Sequence, residues 1–287
     1  MATLRDIRRR ITSIKNTQQI TKAMKMVAAA KLRRAQENII EARPYAIKLR
    51  DVLGSLSLRT DPRAHPLLAR REVRRVEIIP ISSDRGLCGA FNQNVFRITE
   101  RFIRENREFY DGITLSTIGR KALEYFSRRN YTIRSKYVGI FGTLTYETAS
   151  AVAGEVIGAY TGETIDEIYL VYNEFRSAIS QRPVMVKLLP IDPIPVEPGY
   201  VVTSYMYEPS EAEILETLLP RYVEYQLYRA LLESQASEHG ARMTAMDSAT
   251  NNAEEMLGRL TLHYNRVRQA AITKELMDII GGAEALK

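Results

Sequence analysis

Apolar residues recur three and four apart through the first sixty positions. Leu4, Ile7, Ile11, Ile14, Ala28, Leu32, Ala35, Ile39, Ala42, Ala46, Leu49, Leu53 and Leu56 fall on one stripe. Such a stripe is the seam of a coiled coil. Gln18, Thr21 and Lys25 occupy the seam in its middle, with Ile20, Met24 and Val27 beside it. A slip of this kind locally unwinds a supercoil and marks a place where the helix meets a third body. Pro44 predicts a kink rather than an end, because the seam continues on both sides. The same period returns after Ser210, which with Glu213 forms a capping box. It runs through Leu215, Leu218, Tyr222, Tyr225, Arg229, Leu232, Ala236, His239, Met243, Met246, Thr250, Ala253, Leu257, Leu260, Tyr264, Val267 and Ala271. Pro220 predicts a break or kink early in this helix, and Gly281-Gly282 weakens its end. At 1.5 Å per residue the first helix spans about 80 Å and the last about 110 Å. Neither length fits the core of a globule of this size. The two helices must pair, antiparallel, and the later one should project beyond the pair.

Between them the period changes. Residues 57–72, with Pro62 and Pro66, read as a loop. Residues 73–81 are β-branched and apolar, a buried strand, and SSDRGLCG follows as a turn. Helix is predicted over 91–109, 120–129 and 145–160. Strands are predicted over 113–118, 131–137, 165–175 and 183–190. Strands alternating with helices predict a mostly parallel, Rossmann-like sheet. The fold class is therefore a central α/β domain plus a long antiparallel coiled coil of the N- and C-terminal helices. The predicted organisation is 1–58 as the first coiled-coil helix, 73–190 as the α/β domain and 210–287 as the second helix. Segments 1–58 and 210–287 form one shaft, and the Pro-rich stretch 191–208 is a connector.

Charge sharpens this picture. The 287-residue chain carries a formal +7, unevenly placed. Residues 1–50 hold 13 Lys/Arg against 3 acids, and residues 200–287 hold 8 against 13. The basic and acidic arms attract each other at long range. A solvated helix face, nucleic acid, an anionic membrane surface and acidic protein partners are all open to the basic arm. No stretch approaches the roughly 20 apolar residues needed to span a bilayer. The N-terminus has no apolar core of a signal peptide, and the heptads begin at Leu4, leaving no room for a disposable leader. The single cysteine, Cys88, cannot form an internal disulfide and fits a reducing compartment. His65, His239 and His263 are far apart and form no metal motif.

Candidate chemistry is thin. SSDRGLCGAFN (Ser82–Asn92) follows a strand and opens a helix, a context that can cradle phosphate. It matches neither phosphate-binding glycine signature, and its glycines suit a tight turn. Cys88 has no identifiable base partner and reads as a small buried thiol. Glu254-Glu255 and Asp166-Glu167 are sequence neighbours and do not face each other as a catalytic dyad. No catalytic, cofactor-binding or metal residue is expected. The tail from Arg266 to Ala283 places apolar residues on several sides of its helix, which suggests an end enclosed by other chains.

Four segments carry a family likeness. ITKAMKMVAAAKLRRAQ (Ile20–Gln36), SSDRGLCGAFN, YNEFRSAISQRP (Tyr172–Pro183) and RQAAITKELMDIIGGAEAL (Arg268–Leu286) resemble, in order and over the whole chain, gamma subunits of bacterial F-type ATP synthases. The resemblance implies a non-catalytic central rotor shaft, with catalysis on beta subunits and no cofactor here. Three alpha and three beta subunits would surround the paired helices, and epsilon and the c-subunit ring would contact the α/β domain. Proton (or sodium) flow would turn the shaft for ATP synthesis, and hydrolysis would drive it backward. The protein would sit peripherally on the cytoplasmic side of the cell membrane, without inserting into it. Arg268 and Gln269 match the pair that engages a beta loop. Met24, with Lys22 and Lys25, matches the segment facing the acidic lever arm of beta. One cysteine and no evident insertion depart from plastid relatives and imply no thiol switch.

Two other classes remain at this stage. A basic coiled-coil nucleic-acid-binding protein would use the N-terminal arm, though its basic residues form no continuous stripe. A nucleotide-dependent enzyme would use the α/β domain, without a recognisable phosphate motif.

Overall fold

The computed structural model describes residues 3–57, 65–192 and 210–284. Most of the expected 191–208 connector, and the expected 57–72 loop from residue 58 to 64, lie outside the described residues. The chain divides into two compact units, residues 1–28 with 243–287, and residues 29–242. Two helices run through both. Helix α1 covers Leu4–Ser57 and passes Pro44 without ending.

The larger unit holds a five-stranded sheet of β1 (Arg75–Pro80), β2 (Gly112–Ile118), β3 (Ile133–Tyr137), β4 (Glu167–Phe175) and β5 (Gln181–Leu189). Its order is β3-β2-β1-β4-β5. All neighbours are parallel except β4 and β5, a hairpin. Helices α2 (Phe91–Asn106), α3 (Arg120–Ser127) and α4 (Tyr146–Thr161) lie between strands in sequence. The last helix, α5 (Glu211–Glu284), runs through Pro220 as α1 does through Pro44. The backbone N–H of Glu213 donates to Ser210 Oγ at 3.3 Å, so the sequence-level cap forms at its start.

Strand alternation sorts the apolar residues into two cores. Val76, Ile78, Leu115 and Val171 meet Val95 and Phe96 of α2 and Ala122 and Phe126 of α3 on one face. Ile79, Ile81, Ile118 and Leu170 face α4, with Leu49 and Leu53 of α1 and Leu219, Val223 and Leu227 of α5 in the same cluster. Both faces are covered, which is why the strands read as nearly continuous apolar runs.

One charge interrupts the second face. Glu77, fully buried on β1, takes both arms of Arg134 on β3, at 2.9 Å each, and a hydroxyl bond from Ser116 on β2. A buried carboxylate persists only when its oxygens are paired in this way. This triad ties three strands together at one level.

Candidate partner-binding surface

In open α/β sheets a ligand crevice forms beyond the carboxyl ends of the strands, where strand order reverses. Here that point lies beyond β1 and β4, and SSDRGLCGAFN occupies it. Its polar groups are turned on each other. Ser83 N–H donates to Asn92 Oδ1 at 2.9 Å, and Asn92 Nδ2 donates to Ser83 Oγ at 2.8 Å. Asp84 Oδ1 accepts the backbone N–H groups of Arg120 (2.9 Å) and Gly139 (3.1 Å), and Ser82 Oγ accepts that of Ala122 (2.8 Å). These bonds occupy donors at the start of α3, and at the start of α2, the helix that SSDRGLCGAFN opens, the backbone N–H of Phe91 donates to Cys88 O at 3.2 Å.

Helix α5 fills the remaining space. Ser237 Oγ donates to Asn173 O on β4, and Arg242 donates to the carbonyls of Arg85 and Gly86. Arg242 also pairs with Glu238 at 2.7 Å. Burial pushes the Glu238 carboxyl up, against the pull of Arg242. It holds the neighbouring His239 down at about 4, with Arg242 and Lys31 adding to the effect. Cys88 is buried, its thiol pushed up by desolvation, with Ser83 and Asn92 beside it. A protonated, enclosed thiol is a packing residue and not a nucleophile.

The smaller unit presents a different surface. Along α1 from Leu4 to Ala28, the residues withdrawn from solvent are Leu4, Ile7, Ile11, Ile14, Gln18, Thr21, Met24, Lys25 and Ala28. That is the heptad seam with Met24 added. From 251 to 281 on α5 they are Ala253, Leu257, Leu260, Tyr264, Val267 and Ala271, the seam alone. Two polar rungs fix the alignment. Lys25 Nζ meets Asp247 Oδ1 at 2.5 Å, and Thr250 Oγ1 donates to Thr21 Oγ1 at 2.8 Å. The register is antiparallel, because rising numbers on α1 meet falling numbers on α5. Beyond Ala271 every residue through 281 is exposed, including Ile272, Leu276, Met277, Ile279 and Ile280.

The five residues singled out from sequence fall at two stations of this unit. Lys22, half-buried Met24 and Lys25 share one stretch of α1. Arg268 and Gln269 lie exposed on α5, 21 residues beyond Asp247, the partner of Lys25. At 1.5 Å per residue that is about 30 Å along the helix, so the structure does not bring the two groups together. Lys22, Arg268 and Gln269 point to solvent, whereas the Lys25 ammonium is engaged by Asp247. Sequence reasoning missed Asp247. Its signal was present, since Asp247 adjoins the seam position Met246 and faces the polar interruption of the first seam.

Comparison with known proteins places the chain. The family model described as ATP synthase matches residues 3–286, and the chain belongs to that family. Within it, its relatives are gamma chains. The ATP synthase gamma chain of Geobacter sp. (strain M21) is 53% identical over 287 residues, covering 100% of both chains. That of Anaeromyxobacter sp. (strain Fw109-5) is 54% identical over 290 residues, again covering 100% of both. Among solved structures, a chain of the central stalk and c-ring of Tetrahymena thermophila mitochondrial ATP synthase aligns with a TM-score of 0.62 at 27% identity. It covers 80% of this chain and 99% of that one. A rotor chain of the Euglena gracilis mitochondrial ATP synthase shares the fold, with a TM-score of 0.69 over 94% of this chain and 98% of that one at 21% identity.

Proposed function

We propose that this chain is the central rotor shaft of an F-type ATP synthase, coupling ion flow through a c-subunit ring to ATP synthesis and, in reverse, hydrolysis to ion pumping. Three alpha and three beta subunits surround the paired helices, and epsilon and the c ring contact the α/β domain. The observation that carries this reading is the end of α5. Its seam stops at Ala271, yet the helix continues with Ile272, Leu276, Met277, Ile279 and Ile280 exposed. Apolar side chains on several sides of one helix end suit a tight sleeve of other chains.

The shaft does no bond chemistry, and the nucleotide sites lie on other subunits. The crevice filled by SSDRGLCGAFN and α5 supports this reading. Arg268 and Gln269 form one contact station for beta, where the guanidinium gives bidentate, directional contact to a carboxylate. Met24 and Lys22 form the other, facing an acidic segment of beta, with Lys25 shared between that segment and Asp247. The protein works peripherally at the cytoplasmic face of the cell membrane. Among the described residues no helix is long and apolar enough to cross a membrane.

Reconstitution with purified alpha and beta subunits tests the reading. One copy per three-plus-three assembly with sustained ATP hydrolysis is expected. A chain that elutes alone and leaves hydrolysis unchanged refutes it. In the membrane-bound assembly, Met24→Lys lowers protons pumped per ATP, because it adds a charge at the acidic contact. Unchanged pumping efficiency would sink the Met24 assignment.

A further inference from the structure

The seam of α1 contains a contradiction that hydrophobicity alone does not resolve. Thr21 is 8% exposed and Lys25 faces α5, while Ile20 and Val27 stand 59% and 56% exposed. Ile20, Met24 and Val27 are themselves spaced four and three, a short apolar seam one residue out of phase with the one used. Successive residues project about 100° apart on a helix. Rolling this segment by one residue would bury Ile20 and Val27 and turn Thr21 and Lys25 to water. Burial of apolar area is non-directional and favours that roll. The observed phase is the opposite one.

What opposes the roll is the pair of polar rungs, Thr250–Thr21 at 2.8 Å and Lys25–Asp247 at 2.5 Å. Both members of the ion pair remain nearly half exposed, at 43% and 46%. A pair so hydrated contributes little to stability. Its directional geometry can still choose among packings, as a polar residue in a coiled-coil seam fixes register at some cost in stability.

We propose that Thr21–Thr250 and Lys25–Asp247 form a rotational lock that keeps α1 in the phase of its flanking heptads and holds Ile20 and Val27 outward. These are positioning residues. They set which face of the helix a partner meets, including the orientation of Met24 between the two seams.

The test places a single reporter thiol on the face that the lock displays. In the full chain with Cys88→Ser and Val27→Cys, maleimide labelling at position 27 is fast. Lys25→Glu sets two carboxylates against each other and releases the roll, and labelling slows at least threefold. The double exchange Lys25→Glu with Asp247→Lys restores the original rate. Lys25→Leu with Asp247→Leu also leaves the rate unchanged, because an apolar seam removes the incentive to roll. A merely stabilising ion pair predicts the other sign, since loosening the pair exposes position 27 and speeds labelling. Labelling that is unchanged or faster in Lys25→Glu, including through loss of helix, overturns the lock, and so does failure of the exchange to restore the rate. In the membrane-bound assembly, Asp247→Lys, which leaves the Lys25 side chain in place, releases the same roll by like-charge repulsion and lowers protons pumped per ATP at least twofold. That arm rests on the shaft reading, whereas the labelling arm does not, so the two can fail separately.

Discussion

A methyl group at position 119 has nowhere to go. Gly119 has φ +89°, and an added Cβ would lie 2.1 Å from the Ser82 carbonyl oxygen. The obstacle is backbone, held by the Ser82 N–H and hydroxyl, which both donate to Ile118 O, and by the Ala122 N–H, which donates to Ser82 Oγ, so it cannot swing aside. Gly119→Ala should lower unfolding free energy by at least about 2 kcal/mol, combining left-handed strain with a hard contact. Urea titration of the full chain measures it. His239 gives a second residue-scale prediction. Its folded pKa lies near 4, below the ordinary 6.5, because burial excludes the charged form. The unfolded chain therefore binds a proton that the folded chain refuses as pH falls from about 6.5 toward 4. Stability attributable to His239 is full above that window and lost through it. The difference in stability between wild type and His239→Gln should shrink across the window, and paired denaturation curves at pH 7 and pH 5 check it. Other groups, such as Glu238, largely cancel in the difference.

At the scale of elements, the two long helices are the most legible part of the sequence, and the reason is geometric. A seam repeated over many turns leaves few alternative faces, so the residues withdrawn on α5 beyond 251 are the heptad positions alone. Leu257→Ala should cost about 1.5 kcal/mol in this half-buried seam, against under about 0.5 kcal/mol for its exposed neighbour Met256→Ala. Melting curves followed by helix signal would reveal equal effects if the seam were misplaced. The sheet was legible as elements but less so as topology. Nothing in QRPVMVKLL announces that β5 runs antiparallel, because strand direction is set by the short 176–180 turn and not by side-chain pattern. Pro44 was read as a kink that does not end its helix and Pro220 as a break or kink, and α1 and α5 continue through both, since seam packing on both sides outweighs one lost hydrogen bond. Arg229 was placed in the seam by period but is exposed, because around it α5 packs against more than one neighbour and no longer buries a single stripe.

For the whole molecule, the sheet with strand order β3-β2-β1-β4 would ordinarily leave a crevice for a nucleotide. That crevice is filled from within by Ser237 and Arg242 of α5. Those contacts join residues 64 and 157 positions apart, and sequence pattern carries no trace of partners so distant. The candidate contact residues stood out for the opposite reason, being local motifs. Removing the tail gives the prediction at this scale. A chain ending at Ala271 should melt close to the full chain, because every residue from 272 to 281 is exposed. It should nevertheless bind an alpha–beta assembly at least tenfold more weakly, and co-elution at graded concentrations measures that loss.

The bare tail also has a bearing on supply. Ile272, Leu276, Met277, Ile279 and Ile280 are hidden only when other chains enclose them. Any copy made in excess of its sleeve carries an adhesive end, and adhesion between such ends grows with concentration. Light scattering of the purified chain should rise with concentration and fall back when residues 272–287 are removed. A cell making this protein therefore gains by producing it in step with the chains that surround it, and by degrading the surplus.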